Sequence, residues 1–174
     1  RLAEVAREQG YETATSTIRC VLVAGEPGGS LKSVRQRISS AWGADVLDHA
    51  GATEIGPWGV GWLEHSGLEV LEEWFHPEFL DISTGRPAKQ GELAELVLTT
   101  LGRHGCPVIR YRTGDVVHPV WPTEQEVAAG RSPRVWLKGG ILGRTDDMLV
   151  IRGVNIFPSA VENIIREFPE VLEY

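Results

Sequence analysis

The fold is decided by residues 17–47, which read TIRCVLVAGEPGGSLKSVRQRISSAWGADVL. Thr17–Ala24 is a short apolar run rich in β-branched residues, which predicts a buried strand. A glycine-rich break follows, and Ser30 stands where it would cap a helix. This helix is predicted to end at Gly43, before a second strand that begins at Asp45–Leu47. The apolar stripe of the helix, at helical spacing, comprises Leu31, Val34, Ile38 and Ala41. Strand, helix and strand within about 30 residues indicate a βαβ unit of a parallel sheet.

The sequence after Gly56 changes character and predicts a part rich in β-strands, so the whole chain reads as α/β. Short strands are expected at 67–71, 79–83, 92–99, 107–112, 115–120, 137–141 and 148–152, separated by glycine, proline and polar turns. Residues 122–134 are polar and bounded by proline, which predicts a surface loop. Pro158 suits the first turn of a helix. The apolar face of that helix comprises Val161, Ile164, Ile165 and Phe168.

Length, composition and charge limit the classes of function. The chain has 174 residues, with 17 basic and 24 acidic side chains and a formal charge of −7. This acidity argues against sequence-independent nucleic-acid binding, which depends on clustered lysine and arginine. No apolar stretch approaches the roughly 18 residues of a membrane span. Two cysteines, Cys20 and Cys106, make no disulfide framework, so a cytoplasmic location is expected. The chain begins with Arg1 rather than Met and shows no signal-peptide pattern, which suggests a piece of a longer protein.

Four polar stretches carry candidate chemistry, and each also has a purely structural interpretation. The turn at Gly25–Ser30 suits phosphate on exposed backbone N–H groups, or is a tight turn. Thr53 beside Glu54 suits a phosphate with Mg²⁺, because carboxylate oxygen binds hard cations; a capped loop is the alternative. Asp115 suits the two hydroxyls of a ribose, or belongs to a hairpin turn. Arg144 offers a planar fork to phosphate or ribose oxygens, or forms a surface ion pair.

In this order and spacing, these stretches resemble the adenylate-forming acyl- and aryl-CoA ligase superfamily. The resemblance is carried by GEP at 25–27, GATE at 51–54, YRTGD at 111–115 and, most specifically, GRTDDMLVIRGVNIFP at 143–158. It runs from about residue 18 to the end of the chain and is strongest to the phenylacetate–CoA ligase branch.

The resemblance implies a division of the chain into domains. Residues 1–143 would be the C-terminal part of a large AMP-binding domain, with a βαβ part at 1–56 and a β-rich subdomain at 57–143. Residues 144–174 would be the hinge and the start of a small C-terminal α+β domain.

The resemblance also implies a reaction. ATP activates a small carboxylic acid, an aromatic one being favoured, as an acyl-adenylate with release of pyrophosphate. The acyl group then passes to the thiol of coenzyme A. A carrier-protein thiol is the alternative acceptor. A non-catalytic nucleotide-binding or interaction module that keeps this scaffold is the alternative function. Neither nucleic acid nor a membrane is an expected partner.

The same resemblance assigns residues to the adenine of the nucleotide. Asp48 would accept a hydrogen bond from the adenine amino group. Ala50, followed by Gly51, stands where the family usually has an aromatic ring stacked on adenine, and losing one stacking face weakens binding by on the order of 1 kcal/mol or more. The adjacent His49 is expected to point the other way on an extended backbone. The other face of the adenine would be lined by Gly25, Glu26 and Pro27.

The remaining assignments concern the phosphates, the ribose and the hinge. Thr53 would contact phosphate, and Glu54 would hold Mg²⁺. Asp115 would bind the ribose hydroxyls, and Arg144 would contact ribose or phosphate. Asp146 would be the hinge about which the small domain turns between the two half-reactions. These are positioning and electrostatic roles, which suit chemistry at phosphorus.

Two segments of the family pattern are absent from the sequence. These are the phosphate loop with its lysine, expected upstream, and the catalytic lysine expected near the end of the small domain. We therefore expect the 174-residue chain by itself not to form an adenylate. A truncated domain is also expected to expose apolar surface and to self-associate.

Zinc and the tryptophans raise two further questions. Some relatives carry a structural zinc, but the available side chains here make a poor ligand set, and zinc is not expected. Cys106 is expected to pack as a small hydrophobic residue. Trp58 either borders the acyl pocket or, like Trp62, packs in the core or against a missing part of the protein. The candidate zinc ligands are His65, His76, His104 and Cys106.

Overall fold

A mixed sheet of eight strands dominates the structure, a computed structural model that describes residues 2–25, 29–151, 154–165 and 168. The sheet order is β1-β2-β3-β4-β8-β7-β6-β5, and β9 pairs separately with β10. The described elements are, in chain order, α1 (Leu2–Glu8), β1 (Cys20–Ala24), α2 (Lys32–Trp42), β2 (Asp45–Ala52), β3 (Gly56–Val60), β4 (Gly67–Val70), β5 (Phe75–Asp81), β6 (Ala94–Thr100), β7 (Tyr111–Val120), α3 (Glu124–Ala128), β8 (Trp136–Arg144), β9 (Leu149–Ile151), β10 (Val154–Ile156) and α4 (Pro158–Ile165).

The parallel βαβ unit predicted from the sequence is confirmed, and the sheet then continues beyond it. β1 and β2 are parallel, with Ala24 beside His49. The other pairs of the eight-stranded sheet are antiparallel. The strands after residue 57 therefore extend the same sheet rather than forming a second one. β3 provides the continuity, because it returns along β2 after the short Thr53–Ile55 turn. Its sequence, GPWGV, contains two glycines and a proline, which weaken any strand prediction.

The two ends of α2 differ in how well the sequence predicted them. The predicted cap at Ser30 is wrong: the N-cap is Leu31, which makes no side-chain cap bond, and the Ser30 hydroxyl donates to Asp48 instead. The predicted end at Gly43 is confirmed, with φ of 61°. A Cβ at Gly43 would lie 2.4 Å from the Ala14 carbonyl oxygen, so this turn requires glycine.

Several strand boundaries also differ from the prediction. Residues 107–110 are not in a strand, so the strand expected at 107–112 is wrong over most of its length. Residues 111–112 open β7, which passes through Gly114 with φ of 74° and contains the strand expected at 115–120. β5 begins at Phe75 rather than at residue 79. β10 was not predicted. The helix expected from Pro158 is confirmed as α4. The polar loop at 122–134 contains α3, which begins with a capping box formed by Thr123 and Glu126.

The core is built from large apolar side chains of the sheet. Trp58 is only 1% exposed and packs in this core, as one of the alternatives for that residue predicted. Trp62 is 42% exposed and does not. Cys106 is exposed, so its predicted packing as a small hydrophobic residue is wrong. No described helix is long and apolar enough to cross a membrane. Other fully buried core residues are Leu68, Val70, Leu96, Leu98, Val117 and Leu137.

Candidate functional site

A cavity of about 370 Å³ opens where β1 and β2 end. Ligands of open α/β sheets bind at the carboxyl ends of parallel strands. Three predicted nucleotide-binding residues, Gly25, Gly51 and Thr53, line this cavity. Glu26 and Pro27, predicted to bind with them, lie outside the described residues. The rest of the lining comprises Ala24, His49, Ala52, Gly56 and Pro57. Most of the lining side chains are small, so backbone groups face any ligand closely.

Successive residues of β2 face opposite sides of the sheet. Asp48 and Ala50 are on the buried side, with exposures of 9% and 4%. His49 and Gly51 line the cavity on the other side. Ala50 packs in the core so tightly that a Cβ on Gly59 would lie 3.3 Å from the Ala50 Cβ. Asp48 and Ala50 therefore do not line the cavity, whereas the adjacent His49 does.

Asp48 belongs to a buried polar pair. The Ser30 hydroxyl donates to its Oδ2, and the His49 backbone N–H donates to its Oδ1 at 2.9 Å. The backbone of Gly140 covers this pair, since a Cβ there would lie 2.4 Å from Ser30 Oγ. Burial raises the pKa of Asp48, and the hydrogen bonds from Ser30 and His49 oppose the rise. The adenine contact of Asp48 stays a prediction, made by a carboxylate whose oxygens already accept hydrogen bonds.

Asp115 and Arg144 meet because β7 and β8 place them opposite each other. Arg144 Nη1 lies 3.5 Å from Asp115 Oδ1 and donates to the Thr113 carbonyl at 3.3 Å. A Cβ on Gly114 would lie 2.8 Å from Arg144 Nη2, so the glycine makes room for the guanidinium. The Asp115 side chain is 15% exposed, and this burial raises its pKa against the opposing effects of Arg144 and Thr113.

Arg144 also binds the predicted hinge residue. Its Nε lies 2.9 Å from Asp146 Oδ1, and its Nη2 lies 3.3 Å from Asp146 Oδ2. This two-point bond lowers the pKa of Asp146 and raises that of Arg144. Asp146 stands in the turn at 145–147, between β8 and β9. One guanidinium is thus shared between the residue predicted to bind ribose and the residue predicted to act as hinge.

Tyr111 connects this pair to the turn that follows β2. The pKa of the Tyr111 hydroxyl is raised first by burial, then by a hydrogen bond with Glu54 and by the negative charges of Glu54 and Asp115. Arg144 lowers the same pKa. Glu54, Asp115 and Arg144 thus all act on the pKa of this one phenol. Sequence reasoning assigned no role to Tyr111, although it lies on the same strand as Asp115, four positions earlier.

Among the described residues, the Glu54 carboxylate is suited to Mg²⁺, and no cluster of side chains is suited to zinc. Thr53 and Glu54 are both exposed in one turn and present hard oxygen donors. Mg²⁺ is usually bound by one or two carboxylates together with substrate phosphates and waters, so this turn fits it. No group of three or more His, Cys, Asp or Glu among the described residues could hold a metal ion. His65 instead stacks on Trp136, with ring centroids 5.3 Å apart.

Comparison with known proteins gives consistent relatives. No protein-family model matches the chain. The phenylacetate–coenzyme A ligase of Thermus thermophilus is 36% identical over 177 residues, which cover 99% of this chain and 38% of that protein. The chain spans 35–38% of the length of the curated relatives it matches.

Solved structures of 2-hydroxyisobutyryl-CoA ligase match the fold of the chain. The postadenylation state in complex with 2-HIB-AMP has a TM-score of 0.84 and 32% identity, over 97% of this chain and 35% of that one. The open conformation in complex with 2-HIB-AMP and CoA has a TM-score of 0.80 and 32% identity, over 97% of this chain and 39% of that one. Over nearly its whole length the chain is therefore similar to one segment of phenylacetate–coenzyme A ligases and of a 2-hydroxyisobutyryl-CoA ligase.

Proposed function

We propose that the chain provides the nucleotide-holding part of an ATP-dependent carboxylate–CoA ligase. In the first step, a carboxylate oxygen bonds to the α-phosphorus of ATP, and the bond from that phosphorus to pyrophosphate breaks. In the second step, the sulfur of coenzyme A bonds to the acyl carbon, the thiol loses its proton and AMP leaves. Chemistry of this kind depends mainly on positioning and electrostatic stabilisation.

The observation that carries this proposal is the convergence of separate polar residues. Asp115 and Arg144 lie opposite each other on β7 and β8, and both act, together with Glu54 from a distant part of the sequence, on the pKa of Tyr111. Thr53, next to Glu54, lines the cavity at the ends of β1 and β2. A ligand with a sugar diol at one end and a phosphate at the other fits this arrangement, because the diol requires an acceptor and the phosphate requires donors and a cation.

Each residue then has a defined task. Asp115 accepts hydrogen bonds from the ribose hydroxyls, and Arg144 contacts ribose or phosphate oxygen while it holds the hinge residue Asp146. Thr53 donates to phosphate, and Glu54 holds Mg²⁺. When bound, Mg²⁺ would neutralise charge on the phosphates.

The cavity beside these residues binds the parts of the acyl-adenylate other than its ribose and phosphate. Gly25 and Gly51 lie close enough through their backbones to contact it. Asp48 and Ala50 lie on the buried side of β2, and we propose that they support the part of β2 that lines the cavity. The adenine contact of Asp48 stays a testable prediction.

Coenzyme A is the proposed acceptor and an aromatic acid the proposed substrate. The names of the matched relatives support this: phenylacetate–coenzyme A ligases support both the aromatic acid and coenzyme A, and a 2-hydroxyisobutyryl-CoA ligase in complex with 2-HIB-AMP and CoA supports coenzyme A. A reducing, cytoplasmic location is proposed because Cys20 and Cys106 are both free and exposed.

We also propose self-association through β1. This strand lies at an edge of the sheet, and its Leu22 is 60% exposed. An apolar edge strand offers unpaired backbone groups to a second chain.

Calorimetric titration tests the proposed function directly. The 174-residue chain is titrated with AMP and with a non-hydrolysable phenylacetyl-adenylate analogue. Binding of both, with the analogue tighter, supports an adenylate site. Binding of AMP alone favours a non-catalytic nucleotide-binding module, and binding of neither contradicts the proposal. A parallel assay of pyrophosphate release with ATP and phenylacetate should show no turnover by this chain.

A further inference from the structure

The connection between β6 and β7 is anchored to the sheet at both ends. At its start, the Leu101 N–H donates to the Trp74 carbonyl at 2.8 Å. Near its end, the Val108 N–H donates to the Thr100 hydroxyl at 3.0 Å. The connection that carries Arg103 is therefore held by hydrogen bonds to Trp74, which directly precedes β5, and to Thr100, the last residue of β6.

Arg103 reaches from this connection to the turn that carries Thr53 and Glu54. Its Nη1 donates to the Glu54 carbonyl at 2.9 Å, across 49 residues of sequence. Tyr111, the first residue of β7, is near enough to the Glu54 carboxylate for that carboxylate to raise the pKa of its hydroxyl. The connection thus holds Glu54 at its backbone, through Arg103.

We infer that Arg103 is a positioning residue for the binding of Mg²⁺ and phosphate: its guanidinium holds the Glu54 backbone so that the carboxylate stays directed at the phosphates. This inference rests on the proposed function of Glu54. The turn is exposed, and an exposed turn loses conformational freedom when a ligand orders it. A hydrogen bond from the anchored connection restricts the turn before the ligand arrives. The guanidinium also brings a positive charge beside a turn proposed to bind phosphate.

The first test measures amide hydrogen exchange in the turn at residues 53–55 in the absence of ligand. Arg103→Met keeps a long side chain but removes the charge and the donors, and Arg103→Lys restores both a charge and a donor. Arg86→Met is the matched control, because Arg86 is also an exposed arginine in a loop. Amide hydrogen exchange of residues 53–55 should be about 2- to 10-fold faster in Arg103→Met, close to wild type in Arg103→Lys and unchanged in Arg86→Met. Unchanged exchange in Arg103→Met overturns the inference.

The second test separates the inference from the proposed function. Calorimetry compares AMP with an imido analogue of ATP in the presence and absence of Mg²⁺. Arg103→Met should weaken the Mg²⁺-dependent affinity for the ATP analogue about 5-fold or more and leave the AMP affinity within about 2-fold of wild type. Equal loss for both nucleotides, or loss for neither, overturns the role of Arg103 while the proposed function stands. If the wild-type chain binds no nucleotide, the proposed function fails and the inference fails with it.

Discussion

Replacing Asp115 by Asn should weaken nucleotide binding. The same change should remove the desolvation penalty of the buried Asp115 carboxylate in the folded state. The carboxylate has one oxygen for each hydroxyl of the ribose diol, and Asn keeps only one acceptor oxygen without a charge. A hydrogen bond to a charged group contributes about 1.5–3 kcal/mol. Losing one such bond therefore raises the dissociation constant for AMP about 10- to 150-fold.

Although Asp115→Asn should bind nucleotide more weakly, its free energy of unfolding relative to wild type should increase with pH. Burial raises the pKa of Asp115 above its ordinary value of 3.8, so the folded state prefers the protonated carboxyl. The stability that protonated Asp115 contributes is complete below pH 3.8 and is lost as the pH rises through the raised pKa. Asn does not titrate. The free energy of unfolding of Asp115→Asn, relative to wild type, should thus increase from about pH 3 to pH 7.

Calorimetry with AMP and urea unfolding at several pH values measure both effects. Asp45→Asn, an exposed carboxylate at the start of β2, is the control for binding and should leave the AMP affinity unchanged. Asp146→Asn is the control for the pH trend, because the pKa of Asp146 is lowered by Arg144 and its relative stability should fall over the same pH range. If Asp115→Asn binds AMP like wild type, the ribose assignment is refuted. If its relative stability is flat or falls with pH, the reasoning about burial is refuted.

Three further predictions concern the scaffold around the site. Leu137 is 0% exposed, and Leu137→Ala should lower the free energy of unfolding in urea by about 2–5 kcal/mol; a change below about 1 kcal/mol would contradict its core position. Gly140→Ala should destabilise the fold by about 1–3 kcal/mol more than Gly130→Ala, because both glycines have positive φ but only Gly140 faces a crowded neighbour, Ser30 Oγ. Equal decreases in the free energy of unfolding for the two variants would show that Ser30 and Asp48 can move away from the added methyl group without destabilising the fold. Hydrogen bonds from the following turn lower the pKa of Asp81 to about 2, so Asp81→Asn should be less stable than wild type at pH 7, with the difference fading between pH 3.8 and about 2. A difference that persists at pH 2 would contradict this.

The sequence by itself determined the local elements whose patterns are complete within a short stretch. The βαβ order, the end of α2 at Gly43 and the start of α4 at Pro158 depend on spacing, on a glycine that tolerates positive φ and on a proline that suits a first turn. The motifs likewise predicted the similarity to phenylacetate–coenzyme A ligases that the comparison confirms.

The tertiary structure alone decided which of these residues meet. Pairing of β7 with β8 sets Asp115 against Arg144, and a hydrogen bond from Arg103 holds the Glu54 backbone across 49 residues of sequence. Ser30 was expected to cap α2, yet its hydroxyl binds Asp48, because a buried carboxylate requires a donor more strongly than the first turn of a helix does. Such pairings depend on strand register and burial over dozens of residues, and no short stretch of sequence contains that information.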